Sequence, residues 1–303
     1  MIMKNIFMVA AVLCMATACH RSLVPATTPV TNLEIKNESG QLILAGHGSH
    51  SVLQQPNYKA WYDQSYNAYT TDTATVFQLK PLLNHTRMEV FLGSWCGDSK
   101  REVPHMLKVL QQAGMDTAKV LLVFVDNSIK NYKQSPQHEE KNRNIHHVPT
   151  FIVYDGNKEM GRIIESPRTS LEKDLLAILK TEPYQPNYEA IDHWMKQVKN
   201  RESILTDESL NNLVSELKPL CKHYGEFNTY GYVLLAANKS AEAINVFRLN
   251  TFIYPNTAGV FDSLGEAYEK LGNKPAAITA YEKVLLLKPT DENAKKRIVA
   301  LRG

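Results

Sequence analysis

An internal repeat of 34 residues in the C-terminal part constrains this chain more than any other feature. Residues 224–257 and 258–291 align without a gap. Phe261, Leu264, Gly265, Tyr268, Ala277, Tyr281 and Pro289 in the second copy stand where Phe227, Tyr230, Gly231, Leu234, Ala243, Phe247 and Pro255 stand in the first. Small residues recur where two helices must cross closely, large apolar ones where they pack, and proline where a helix must stop. A unit this short cannot bury its own apolar face, so successive copies have to stack.

These positions are the signature positions of a tetratricopeptide repeat, and the stretch resembles that family. Residues 187–303 are therefore expected to form a helical repeat domain. A degenerate first unit is expected around His193 and Val214, and a capping helix over residues 291–301. In this family such stacks bind proteins, which implies a protein partner on the repeats.

The chain is 303 residues long, enough for a second domain with its own core. Its net charge of +3, with signs interspersed, gives no electrostatic footprint for nucleic acid. Residues 1–18 read as a signal peptide: Lys4, a short apolar stretch over 6–15, then Ala16-Thr17-Ala18 directly before Cys19. This resembles a bacterial lipoprotein signal, which implies lipid on Cys19 and a periplasm-facing place in a Gram-negative envelope. Simple cleavage after Ala18 to a soluble periplasmic or secreted product is the alternative. Residues 19–39, rich in Pro and Thr at their start, read as a tether. With Cys14 and Cys19 consumed, Cys96 and Cys221 remain as thiols, too few for a disulfide framework. Cys221 is expected to be a buried helix cysteine.

Residues 40–182 alternate elements at the pace of an α/β domain. Strands are expected at 42–46, 88–92 and 120–125, with a hairpin of 151–154 and 160–164 around Asp155-Gly156-Asn157. Helices are expected over 58–69, 71–83, 98–113 and 170–179, plus a short one within 127–145. Tyr58, Trp61, Tyr62, Tyr66 and Tyr69 form an aromatic stripe that reads as a packing face. His47 and His50 read as a polar loop after the first strand.

Residues 91–104, FLGSWCGDSKREVP, place Cys96 between an apolar run and a charged helix. Backbone N–H groups and the positive end of the helix dipole there favour a nucleophilic sulfur. Trp95 can shield one side of it and Gly97 lets another chain approach. The turn Trp95-Cys96-Gly97, the helix proline Pro104 and the segment Val148-Pro149-Thr150 occur in the order found in the thioredoxin superfamily, which residues 85–182 resemble. The fold class is thus expected to be an α/β thioredoxin-like domain followed by an all-α tetratricopeptide-repeat domain.

That resemblance implies a thiol–disulfide exchange or isomerase protein. Cys96 would be the nucleophile, Ser99 a hydrogen-bond partner to the sulfur, and Trp95, Gly97, Val148 and Pro149 the substrate-docking surface. Client protein or peptide thiols and disulfides would be its partners. The chain departs from the family at two positions: Ser99 stands for the second cysteine and Val90 for a buried carboxylate. Together they imply that any adduct on Cys96 must be resolved by an external thiol. No cofactor or metal is implied. The alternatives are a non-catalytic peptide-binding lipoprotein on the same scaffold and, through Cys96 with His146 or His147, a metal-handling module. The two histidines otherwise read as solvent-facing loop residues.

Overall fold

A computed structural model describes residues 31–198 and 203–303. The signal segment 1–18 and Cys19 lie outside the described residues. The chain divides into a mixed α/β part and an all-helical part.

The α/β part begins with strands β1 (Leu33–Lys36) and β2 (Leu42–Gly48). Helices α1 (Pro56–Ala68) and α2 (Thr73–Leu79) follow, then β3 (Thr86–Leu92), α3 (Gly97–Gln112), β4 (Val120–Phe124), the hairpin β5 (Thr150–Asp155) and β6 (Lys158–Ile164), and α4 (Leu171–Leu179). The six strands lie in the order β1-β2-β4-β3-β5-β6. β3 and β4 are parallel, joined through α3, and every other pair is antiparallel. β3 is central and buried on both faces, which its apolar run Val90-Phe91-Leu92 permits. One sheet face buries Val90, Leu92, Leu122 and Phe151 against Val103, Met106, Leu107 and Leu110 of α3 and Leu171 and Leu175 of α4. The aromatic stripe of α1 lies against this core through Tyr58, Trp61, Tyr62 and Tyr69. The opposite face carries Phe91, Val123, Val125, Ile145, Val148 and Ile152, and Trp95 and Cys96 rest on that cluster.

Three segments differ from the expectations. Residues 33–36, read as tether, form β1: Leu33 and Ile35 alternate with Glu34 and Lys36, and this period of two adds the strand to the free edge of β2. The long connection over 126–149 holds turns and no helix. Its polar side chains cap its own backbone: Asp126 accepts from Asn127 N–H (2.7 Å) and Ser128 N–H (3.0 Å), and Glu140 from Ser135 N–H (3.0 Å). Lys133, His138, Asn142 and Asn144 there adopt left-handed backbone, which no helix accommodates. His47 belongs to β2, not a loop, where it pairs with Glu139 at 2.9 Å; a ring nitrogen of His50 lies 3.1 Å from the Val120 carbonyl.

The helical part comprises α5 (Glu189–Val198), α6 (Asp207–Leu217), α7 (Gly225–Ala236), α8 (Ser240–Ile253), α9 (Ala258–Lys270), α10 (Lys274–Leu287) and α11 (Glu292–Arg302). The starts and ends of α8 and α10 are 34 residues apart, the period of the sequence repeat. Gly231 of α7 faces the Phe247 ring of α8, and Gly265 of α9 faces the Tyr281 ring of α10; an added Cβ would lie 2.5 Å and 2.8 Å from those rings. The repeated glycine therefore marks the helix crossing. Oxygen caps open three helices, with Thr206 accepting from Ser209 N–H, Asn273 from Ala276 N–H and Asp291 from Ala294 N–H.

Candidate functional site

The turn between β3 and α3 places the sulfur. Cys96 N–H donates to the Gly93 carbonyl at 2.9 Å, and the Cys96 carbonyl accepts from Lys100 N–H at 3.0 Å. Cys96 is thus the N-cap of α3, in extended backbone, with its side chain at the positive end of the helix. Its Sγ donates to the Val148 carbonyl at 3.3 Å. The Val148–Pro149 peptide is cis, and the Pro149 carbonyl accepts from Glu165 N–H at 2.6 Å. Trp95 folds back over the turn, its indole N–H donating to the Val125 carbonyl at 2.8 Å. Only glycine at position 93 leaves room for that ring, since a Cβ there would lie 2.5 Å from it. Gly97 is open on the side where its Cβ would stand.

Ser99 lies in the first turn of α3. It is 1% exposed, and its Oγ accepts the Gly93 N–H at 3.1 Å, so it braces the turn from beneath. The charge of Asp98 is paired with Arg101 at 2.8 Å. Val90 is fully buried in the sheet.

His146 and His147 are not solvent-facing. They are 2% and 5% exposed, and their Nδ1 atoms lie 2.7 Å apart. One ring N–H must donate to the other's lone pair, which neutral imidazoles satisfy. Burial, with Lys133 and Arg162 nearby, pushes His146 down to about 3; burial, Lys133 and His146 hold His147 well below its ordinary value. Their rings pack against the helical part: His147 stacks on Tyr188 at 3.7 Å, and His146 meets Tyr230 edge-on. Among the described residues no group of three or more His, Cys, Asp or Glu could hold a metal ion.

Cys221 follows a short turn of 3-10 helix and is half-buried, its Sγ donating to the Leu217 carbonyl at 3.2 Å. Burial and Glu226 push its thiol up to about 12, against a lowering hydrogen bond with Tyr254. It lies in the helical core, not at the Cys96 turn.

Cys96 opens into a cleft of about 830 Å³ between the two parts of the chain. Trp95, Tyr132, Lys133, Val148 and Glu165 line one side; Tyr188, Lys222, His223, Glu226 and Thr229 line the other. Tyr188 donates its hydroxyl to Glu165, so the two walls are tied across the cleft. Burial raises the Glu165 carboxyl above its ordinary value, against the lowering effect of the Tyr188 hydroxyl.

No sequence motif points to Lys133. It is 5% exposed, in left-handed backbone, its N–H donating to the Asp126 carbonyl at 2.9 Å. Burial pushes its ammonium down to about 8, against the attraction of Cys96, Glu165 and Asp98. Asp126-Asn127-Ser128, a cluster of turn-forming side chains directly after a buried strand, was the one local signal that this loop is built and not slack. Nothing local marks Glu165, Tyr188 or Glu226 as neighbours of Cys96.

The chain matches no protein-family model. It is similar to the tetratricopeptide repeat domain-containing protein PYG7, chloroplastic, of Arabidopsis thaliana, at 32% identity over 76 residues. That match spans 25% of this chain and 25% of the plant protein. It accords with a C-terminal part of paired helices at a 34-residue period.

Proposed function

We propose that the α/β part is a thioredoxin-like domain that carries out thiol–disulfide exchange with Cys96 as its single nucleophile, and that the helical part is a tetratricopeptide-repeat domain. The observation that carries this reading is the position of Cys96 Sγ: at the N-cap of α3, 3.3 Å from the Val148 carbonyl and open to the cleft. An extended substrate strand beside Val148 would bring its own disulfide onto that sulfur.

In the reaction, the Cys96 thiolate attacks one sulfur of a substrate disulfide. A Cys96–substrate disulfide forms as the substrate S–S bond breaks, and the second substrate sulfur leaves as a thiolate. Ser99 has no thiol and its hydroxyl is held by Gly93, so a second thiol from outside must attack the adduct and restore Cys96. In this reading Ser99 is a positioning residue for the turn.

The test is trapping with a neutral small disulfide, bis(2-hydroxyethyl) disulfide, followed by peptide mapping. An adduct on Cys96 that a second thiol removes, and that Cys96→Ser lacks, is the expected result. An unmodified Cys96 would leave the non-catalytic, peptide-binding reading of the same cleft.

A further inference from the structure

Two groups in the cleft have unmet partners. The Lys133 side chain is 5% exposed and lines the cleft; among the described residues its ammonium has no hydrogen bond or ion pair, with the Tyr132 ring centroid 5.3 Å away. Glu165 faces it but gives its carboxylate to the Tyr188 hydroxyl. On the opposite wall Glu226 is 7% exposed, and its buried Oε2 has no hydrogen-bond partner, while Oε1 accepts from Lys222 N–H at 2.9 Å. A buried carboxylate oxygen left unmet costs stability, and a cation with no protein partner on the facing wall is free to bind an anion, so the pair suits a ligand that carries both charges.

The space also has a size. About 830 Å³ falls within the range of small-molecule sites, roughly 300–1,000 Å³, and the helical wall closes over the sulfur's side of the α/β part. Arg168 and Lys222 stand exposed at the rim and add positive charge there.

We propose that the cleft is the binding site for a small disulfide of the amino-acid or short-peptide type, its carboxylate held by Lys133 and its ammonium by Glu226. The assignment rests on the exchange reading and narrows it: the substrate is a small zwitterion, and the helical part walls the site instead of delivering a folded client. Cys96 attacks one ligand sulfur and becomes half of a mixed disulfide; the other ligand sulfur departs reduced, as a thiolate that the Lys133 ammonium can protonate. The thiolate of a different low-molecular-weight thiol then attacks the ligand sulfur of the adduct, leaves as a mixed disulfide with that half, and restores the Cys96 thiolate. One S–S bond forms for each that breaks.

The experiment measures the rate of Cys96 adduct formation in the full chain with four disulfides: cystine, dithiodipropionate, cystamine and bis(2-hydroxyethyl) disulfide. These carry both charges, carboxylates only, ammoniums only and neither. Cystine is expected to react roughly tenfold faster than the neutral probe. Lys133→Met, close in length and apolar, should erase the advantage of the two carboxylate probes, Lys133→Arg should keep it, and Glu226→Gln should erase the advantage conferred by ammonium. Thermal melting of each variant reports its folding, and the wild-type rate ratios stand without any variant. Equal rates for all four probes overturn the ligand assignment while leaving exchange intact. So does a Lys133→Met variant slowed equally toward all four, since the lysine would then serve only the sulfur. No adduct with any probe removes the exchange reading and the ligand assignment together.

Discussion

At the scale of the residue, burial decides which titratable groups are chemically available. His146 and His147 form a neutral pair sealed under Tyr188 and Tyr230. The folded protein refuses a proton that the unfolded chain accepts below about 6.5, so stability falls as pH falls from there toward about 3. Between pH 7 and 4.5 His146 alone should account for a loss of about 2 kcal/mol. Urea denaturation at both pH values checks this against His146→Gln, which removes the titration and keeps a partner for His147. An equal loss in the two proteins would refute it, since carboxylates common to both would then explain the slope. Cys221 makes the opposite case of a thiol kept from reacting. With its thiol pushed up to about 12, alkylation of Cys221 in Cys96→Ser at pH 8 should run roughly a thousandfold slower than for an ordinary exposed thiol. Rapid labelling of the folded protein would contradict the burial described.

At the scale of the element, the repeated glycine sets how closely paired helices approach. Alanine at 231 would gain up to about 1 kcal/mol of helix propensity, but its Cβ would meet the Phe247 ring, and overpacking of that kind costs about 1–3 kcal/mol. Gly231→Ala should therefore be net destabilising by about 1 kcal/mol, and Phe247→Leu in the same chain should return part of it. Chemical denaturation of both variants measures this; a neutral or stabilising Gly231→Ala would mean the helices do not cross there. This contact was legible beforehand because Gly, aromatic and proline recur at one period. The structure of residues 126–149 was not. Its left-handed residues and side-chain caps have no period, and its polar composition fits a loop, a turn series or a short helix equally well.

At the scale of the whole molecule, the two parts meet at one cleft. β3 and α3 bring Cys96 to its floor, the 126–149 connection brings Lys133, and the loop after β6 brings Glu165. The helical part supplies Tyr188 and Glu226. Asp174 holds the loop after β6 in place, accepting from Arg168 N–H at 2.6 Å and Thr169 N–H at 3.1 Å. Glu89, buried at the sheet, anchors the long connection through Arg143 at 2.9 Å. Its burial would raise its carboxyl, but hydrogen bonds from Arg143, Arg87 and Tyr154 outweigh that and leave it below the ordinary value. The α/β wall of the cleft is thus tied to its core.

The division into a mixed α/β part and an all-helical part was determined by the sequence alone, as was a cysteine standing between a strand and a helix. Both follow from periodicity and from neighbours within a few positions, where backbone geometry acts directly. The tertiary structure alone decided what faces that cysteine. It took the Ser99 hydroxyl for the turn, sealed the two histidines, and set Lys133, Glu165 and Glu226 around the sulfur. Those residues come from segments far apart in the chain, and no local pattern encodes which of them will meet. Their meeting depends on how two separately built cores pack, and on loop dihedrals that side-chain hydrogen bonds hold.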